Sequence, residues 1–137
     1  MVANAVYSLL AGDAAVSALV GTRVYPNVAP QNTAYPHIVY QLINVSHIEV
    51  LAGSFGNARS LVQVSCRSHD YDEARDLAEK CRLVLQGYAG TAASIEISGV
   101  NLVDDRDIYD PPRLADEPGT YGVQLDFAVW NIEAIPA

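Results

Sequence analysis

Between two strand-like runs, the segment from Asp70 to Tyr88 most narrows what this chain can fold into. Ala74, Leu77, Ala78, Cys81, Val84, Leu85 and Tyr88 recur at helical spacing, and Arg75, Asp76, Glu79, Lys80, Arg82 and Gln86 fill the opposite face. Asp70 and Glu73 have the spacing of a capping box, with Asp in place of Ser or Thr. Gly87 and Gly90 mark the exit. The pattern predicts a helix from Tyr71 to about Tyr88 whose single apolar stripe must dock on a sheet.

The flanking segments supply that sheet. His37–Ile48 is dominated by β-branched and aromatic residues and reads as a strand. In Arg59–Ser68, Val62, Val64 and Cys66 alternate with Leu61, Gln63 and Ser65. Ala93–Val103 alternates more weakly after a turn at Gly90–Ala92. Tyr121–Ile132 sets Val123, Leu125, Phe127 and Val129 on one face, and Gln124, Asp126, Ala128 and Trp130 on the other. At the start of the chain, Val2, Val6, Leu9 and Leu10 form a helical stripe that Gly12-Asp13 interrupts. Asp13 can cap a second short helix through Val20, with Gly21 at its C-terminal end.

The intervening segments read as loops. Thr22–Tyr25 is a short extended piece, and the three prolines of Pro26–Pro36 exclude helix there. Glu49–Ala58 holds two glycines and an asparagine and reads as a hairpin tip or longer loop. Asp104–Gly119 reads as an acidic loop with three prolines. The sum is an α+β fold: an antiparallel four-stranded sheet with helices packed on one face, in the order α-β-β-α-β-β. With no internal repeat, linker or composition break, residues 1–137 are expected to form one domain.

Charge bears on partners. Eight basic residues stand against 16 acidic ones, a formal net of −8. Such a chain repels nucleic-acid phosphates and lacks the basic stripe that non-specific DNA binding requires. The surplus acidity is either an ordinary solvated surface or the lining of a channel through which DNA slides unheld. The two cysteines, Cys66 and Cys81, sit in periodic apolar segments and are expected to be buried, reduced thiols. The N-terminal stretch lacks the basic start of a signal peptide, and nothing approaches about 18 uncharged apolar residues in a row. The expectation is a soluble protein of a reducing compartment, with no membrane partner.

Candidate chemistry is sparse. His37, His47 and His69 are spread over strand ends and a helix start, without the close ligand pairs a metal needs; His69/Asp72 is incidental. Asp104, Asp105, Asp107 and Asp110 cluster, but the glycine and distal glutamate of a helix-loop-helix calcium site are missing. Gly53-Ser54-Phe55-Gly56 has no lysine and is no phosphate loop, nor is it a hydrolase elbow. Cys66 in an alternating apolar strand reads as structural. No catalytic residue, cofactor or metal is expected.

The order of these signals resembles the phage tail-completion family, whose members include tail-to-head joining and tail-terminator proteins. The stretches that carry the resemblance are YSLLAGDAAVSALVGTRVYPNVAPQ, YPHIVYQLI, LVQVSCRSHDYDEARDLAEKCRLVL and GVQLDFAVW, in that order along most of the chain. The resemblance implies a non-catalytic virion subunit of a phage or prophage, assembled in the host bacterial cytoplasm. It implies a ring, commonly a hexamer, that caps the tail tube protein and meets the head connector proteins while DNA passes through the lumen. Contacts of such a subunit are expected on the Glu49–Ala58 loop, with Leu51, Ser54, Phe55 and Asn57 as interface residues. The competing readings are a small α+β enzyme or ligand-binding domain with an unrecognised pocket, and a monomeric adaptor or immunity-type binding protein.

Overall fold

The structure is a computed structural model that describes residues 2–50, 53–112 and 118–132, without the side chains of residues 47–57. Two helices open the chain, α1 (Val2–Ala11) and α2 (Ala14–Val20), meeting at an 82° bend. The bend falls where Asp13 leaves helical geometry and caps α2, its Oδ2 accepting from Val16 N at 3.1 Å. Gly21 ends α2 at φ 60°, and its N–H donates to the Ser17 carbonyl at 2.8 Å. No single helix among the described residues is long and apolar enough to cross a membrane.

Six strands follow around the third helix: β1 (Val24–Pro26), β2 (His37–Val50), β3 (Gly53–Ser68), α3 (Tyr71–Leu85), β4 (Gly90–Ala92), β5 (Ile95–Asp110) and β6 (Thr120–Ile132). They form one curled sheet in the order β1-β2-β3-β6-β5-β4. The four long strands pair antiparallel, as the sequence predicts, but the sheet has six strands rather than four. β1 pairs with β2 in parallel, over Val24↔Ile38 to Pro26↔Tyr40, and β4 flanks β5 over Gly90↔Ile97 to Ala92↔Ile95. Three-residue strands are too short to show a period, so β4 reads as a turn in sequence.

The long strands also run further than their composition suggests. The acidic stretch expected as loop from Asp104 is strand as far as Asp110, paired from Asp104↔Asp126 to Asp110↔Thr120. The ladder with β6 outweighs the poor strand propensity of aspartate, and Pro111-Pro112 then ends the pairing. The expected Glu49–Ala58 loop is likewise strand on both sides, with Glu49 opposite Ser54 and Val50 opposite Gly53.

The helices and the inward faces of the strands share one buried cluster. Leu77, Cys81 and Leu85 of α3 are fully buried with Val62, Val64 and Cys66 of β3 and Val123, Leu125, Phe127 and Val129 of β6; Val84 packs against this cluster from its edge. α1 and α2 add Val6, Leu10, Val16 and Val20. Cys66 Sγ lies 3.8 Å from Cys81 Sγ, both free thiols. The neighbouring Cys81 thiol, together with burial, pushes the Cys66 thiol well above its ordinary range, so Cys66 does not behave as a nucleophile.

The start of α3 departs from the capping box. Asp70 Oδ1 accepts from Asp72 N at 3.3 Å, while Glu73 accepts from Ser68 Oγ at 2.6 Å. The same hydroxyl oxygen accepts from Asp70 N at 3.1 Å, so Ser68 stands between the two groups a box would join directly. Helix α3 stops at Leu85, short of Tyr88, and Gly87 at φ 80° turns its N–H onto the Val100 carbonyl at 2.8 Å.

The strands next to the two edges, β2 and β5, are covered on their outer sides over only a short stretch. β1 spans residues 38–40 of β2, and β4 spans residues 95–97 of β5. Beyond those pairs β2 and β5 keep one ladder neighbour each among the described residues.

Candidate assembly surfaces

The two ends of the sheet are built differently. At one end β2 and β3 continue as a two-stranded arm. Among the described residues, pairing of β3 with β6 starts at Asn57↔Ile132, and Gly53 and Ser54 pair with Val50 and Glu49 of β2. Ser54, Phe55 and Asn57 stand on the backbone of this arm, and Leu51 lies outside the described residues. The glycines and asparagine that suggest a loop are carried instead in a ladder.

At the base of the arm is a 360 Å³ pocket lined by Val2, Leu42, Val45, Ala58, Ile95 and Ile132, with Ser60 and Asn131 among its walls. Ser60 Oγ and Asn131 Oδ1 are buried without a hydrogen-bond partner. Of its lining, Val45 and Ile132 are each at least 40% exposed.

The opposite end holds a 470 Å³ cavity between the Pro26–Pro36 segment and the starts of β2 and β6. Its lining includes Val28, Pro30, Tyr35, His37, Val39, Arg67 and His69. His37 and His69, far apart in sequence, are gathered here by Tyr35, whose ring lies 4.7 Å from His37 and 4.1 Å from His69. Sequence reasoning treats these histidines as scattered. What unites them is the pairing of His37 with Arg67 on β3, two residues before His69. His47 belongs to the arm at the other end. Burial pushes the His37 imidazole below its ordinary value; the Ala34 carbonyl opposes this, and Arg67, Arg23 and His69 reinforce it.

The aspartates of β5 are clipped by arginines. Arg75 of α3 reaches Asp105 Oδ1 at 2.8 Å and also Asp107, and Tyr71 Oη donates to Asp107 at 2.9 Å. On the other face Arg106 Nη1 joins Asp104 at 2.5 Å and Asp126 at 2.8 Å. Arg67 Nη1 is 3.6 Å from Asp110. Alternation along β5 splits the cluster between two faces, and among the described residues no group of three or more His, Cys, Asp or Glu could hold a metal ion.

The described residues thus form an α+β scaffold with an arm, two unlike ends and ion-paired carboxylates. Residues 4–131 match the family model described as "Tail completion protein gp17", and the chain belongs to that family. It is a structural tail protein and not an enzyme. A search of curated protein sequences returns no match. Among solved structures, a chain from "Virion of native gene transfer agent (GTA) particle" is similar in fold, with a TM-score of 0.73 at 22% identity over 95% of this chain and 92% of that one.

Proposed function

We propose that the chain is a one-domain ring subunit, in a hexamer, that closes the end of a tail tube and meets the head connector. The observation that carries this reading is the family match over residues 4–131. The likeness to a chain of a gene transfer agent virion agrees with it. The unlike ends of the sheet suit a subunit that meets more than one kind of partner, among them tube protein, connector and neighbouring copies. The arm, with Leu51, Ser54, Phe55 and Asn57, is the proposed contact with a neighbour or with the tube. DNA passes through the lumen without being held, because a net of −8 repels phosphate.

Light scattering across protein concentration and salt tests this reading, alongside joining to purified tails and a DNA titration at low salt. Like-charged copies repel over distances that salt shortens to a Debye length of about 8 Å at physiological ionic strength. The pure protein should therefore associate weakly, more so as salt rises, and form a stable ring on a tail tube. A strict monomer that fails to join tails, or tight DNA binding, removes the reading.

A further inference from the structure

Four basic side chains converge at the cavity end of the sheet. Arg23 donates from Nε to the Pro36 carbonyl at 3.0 Å and from Nη2 to the Leu19 carbonyl at 3.3 Å. Arg67, His37 and His69 line the cavity itself. In a chain with 16 acidic residues against eight Lys and Arg, two of those eight stand at this end beside two histidines.

The hydrogen bonds there leave donors and ring nitrogens to spare. A carbonyl oxygen only accepts, so His37 Nδ1 donates to Ala34 O at 3.3 Å and His69 Nδ1 donates to Gly119 O at 3.1 Å. Each ring keeps its Nε2 atom. Arg67 Nε is buried with no hydrogen-bond partner among the described residues, a cost that an incoming acceptor would relieve. Asp110, 3.6 Å from Arg67 Nη1, is a carboxylate already drawn to this guanidinium from the rim.

We propose that this cavity is a carboxylate-binding site, and that its occupant is an Asp or Glu side chain of a second copy of this chain. A guanidinium fork matches the planar, two-oxygen geometry of a carboxylate, and Val28, Pro30 and Val39 give its methylene stem an apolar wall. The choice of a copy rests on charge complementarity and on the ring reading above. Every copy carries an excess of carboxylates, and in a closed ring a patch on one copy meets a different patch on the next. Arg67 gives an acidic neighbour a point of attraction at this cavity.

The test has two arms. In the ¹⁵N-labelled full chain, the Arg67 Nε–H and the imidazole signals of His37 and His69 are followed while N-acetylaspartate, or inorganic phosphate in parallel, is added. Sedimentation velocity then compares self-association of the wild type with Arg67→Gln and His69→Gln, each checked for wild-type melting. N-acetylaspartate should shift the Arg67 signal. Arg67→Gln should weaken that binding about tenfold or more, as loss of a charge-assisted hydrogen bond does. Both variants should move self-association to higher concentration. No shift at Arg67, or a response to phosphate alone, which would point to a nucleic-acid backbone, overturns the carboxylate site. Association unchanged in both variants overturns the copy as occupant. A ring-forming chain with a silent Arg67 fails the pocket alone. A strict monomer whose Arg67 still answers to N-acetylaspartate fails the ring reading, and with it the proposed occupant.

Discussion

Leu77 and Leu85 sit on the helix stripe that first constrains the fold, and both are almost wholly removed from solvent. Truncating either to alanine leaves a cavity under a sheet that cannot collapse to fill it. Leu77→Ala or Leu85→Ala should cost about 2–5 kcal/mol in urea unfolding, and a loss under about 0.5 kcal/mol would mean that the stripe is solvated. His37 is a different kind of buried residue, because its contribution depends on pH. Its folded-state value lies below the ordinary 6.5, so the unfolded chain takes up the proton first as pH falls. The stabilisation is complete above pH 6.5 and is lost as pH drops from there through the lower folded value. The difference in unfolding free energy between wild type and His37→Gln should therefore shrink on acidification below pH 6.5; a pH-independent difference would refute it.

Strand β5 is where sequence and structure part furthest. Its first half alternates only weakly, because a register shift between Ile97 and Gly99 separates inward Ile97 from Val100 and the partly buried Leu102. Its second half, Asp104–Asp110, carries no apolar period at all, because β6 and the arginines of α3 and β5 hold it in place. Such long-range partners leave no local signature. The helix stripe, the alternation of β3 and β6, and the α1–α2 break at Gly12-Asp13 were legible for the opposite reason: periodicity and caps are local. The candidate surfaces were legible only in part. Leu51, Ser54, Phe55 and Asn57 stay a proposal drawn from the composition of their segment, whereas the meeting of His37 with His69 needs the β2–β3 register. The clip between α3 and β5 also has a calculable worth. Arg75, Asp105 and Asp107 are each about a third to a half exposed, so solvent screens them. Arg75→Ala should cost at most about 1 kcal/mol in thermal or urea unfolding, well under either leucine truncation. A loss on the scale of the leucines would mean that the clip, not the core, holds β5.

For the molecule as a whole, the arm and the cavity lie at opposite ends of one sheet, so contact at one end leaves the other available. That arrangement suits stepwise assembly, in which a neighbour is met first and a tube or connector afterwards. Amide hydrogen exchange should show residues 53–58 gaining protection in assembled tails relative to the free chain. Equal protection in both states would remove the arm from the proposed interface.

The incompletely covered margins of β2 and β5 carry a consequence for handling the protein. Each margin offers unused backbone donors and acceptors on which another chain could build a strand, the route by which β-rich proteins gel or form fibres. Aspartates guard the β5 margin, whereas Ile43 and Val45 stand on the β2 margin, and the surplus negative charge keeps stored molecules apart. Concentrated stocks should keep best at neutral pH and modest ionic strength. Acid that discharges the carboxylates strips away the guard and the repulsion together.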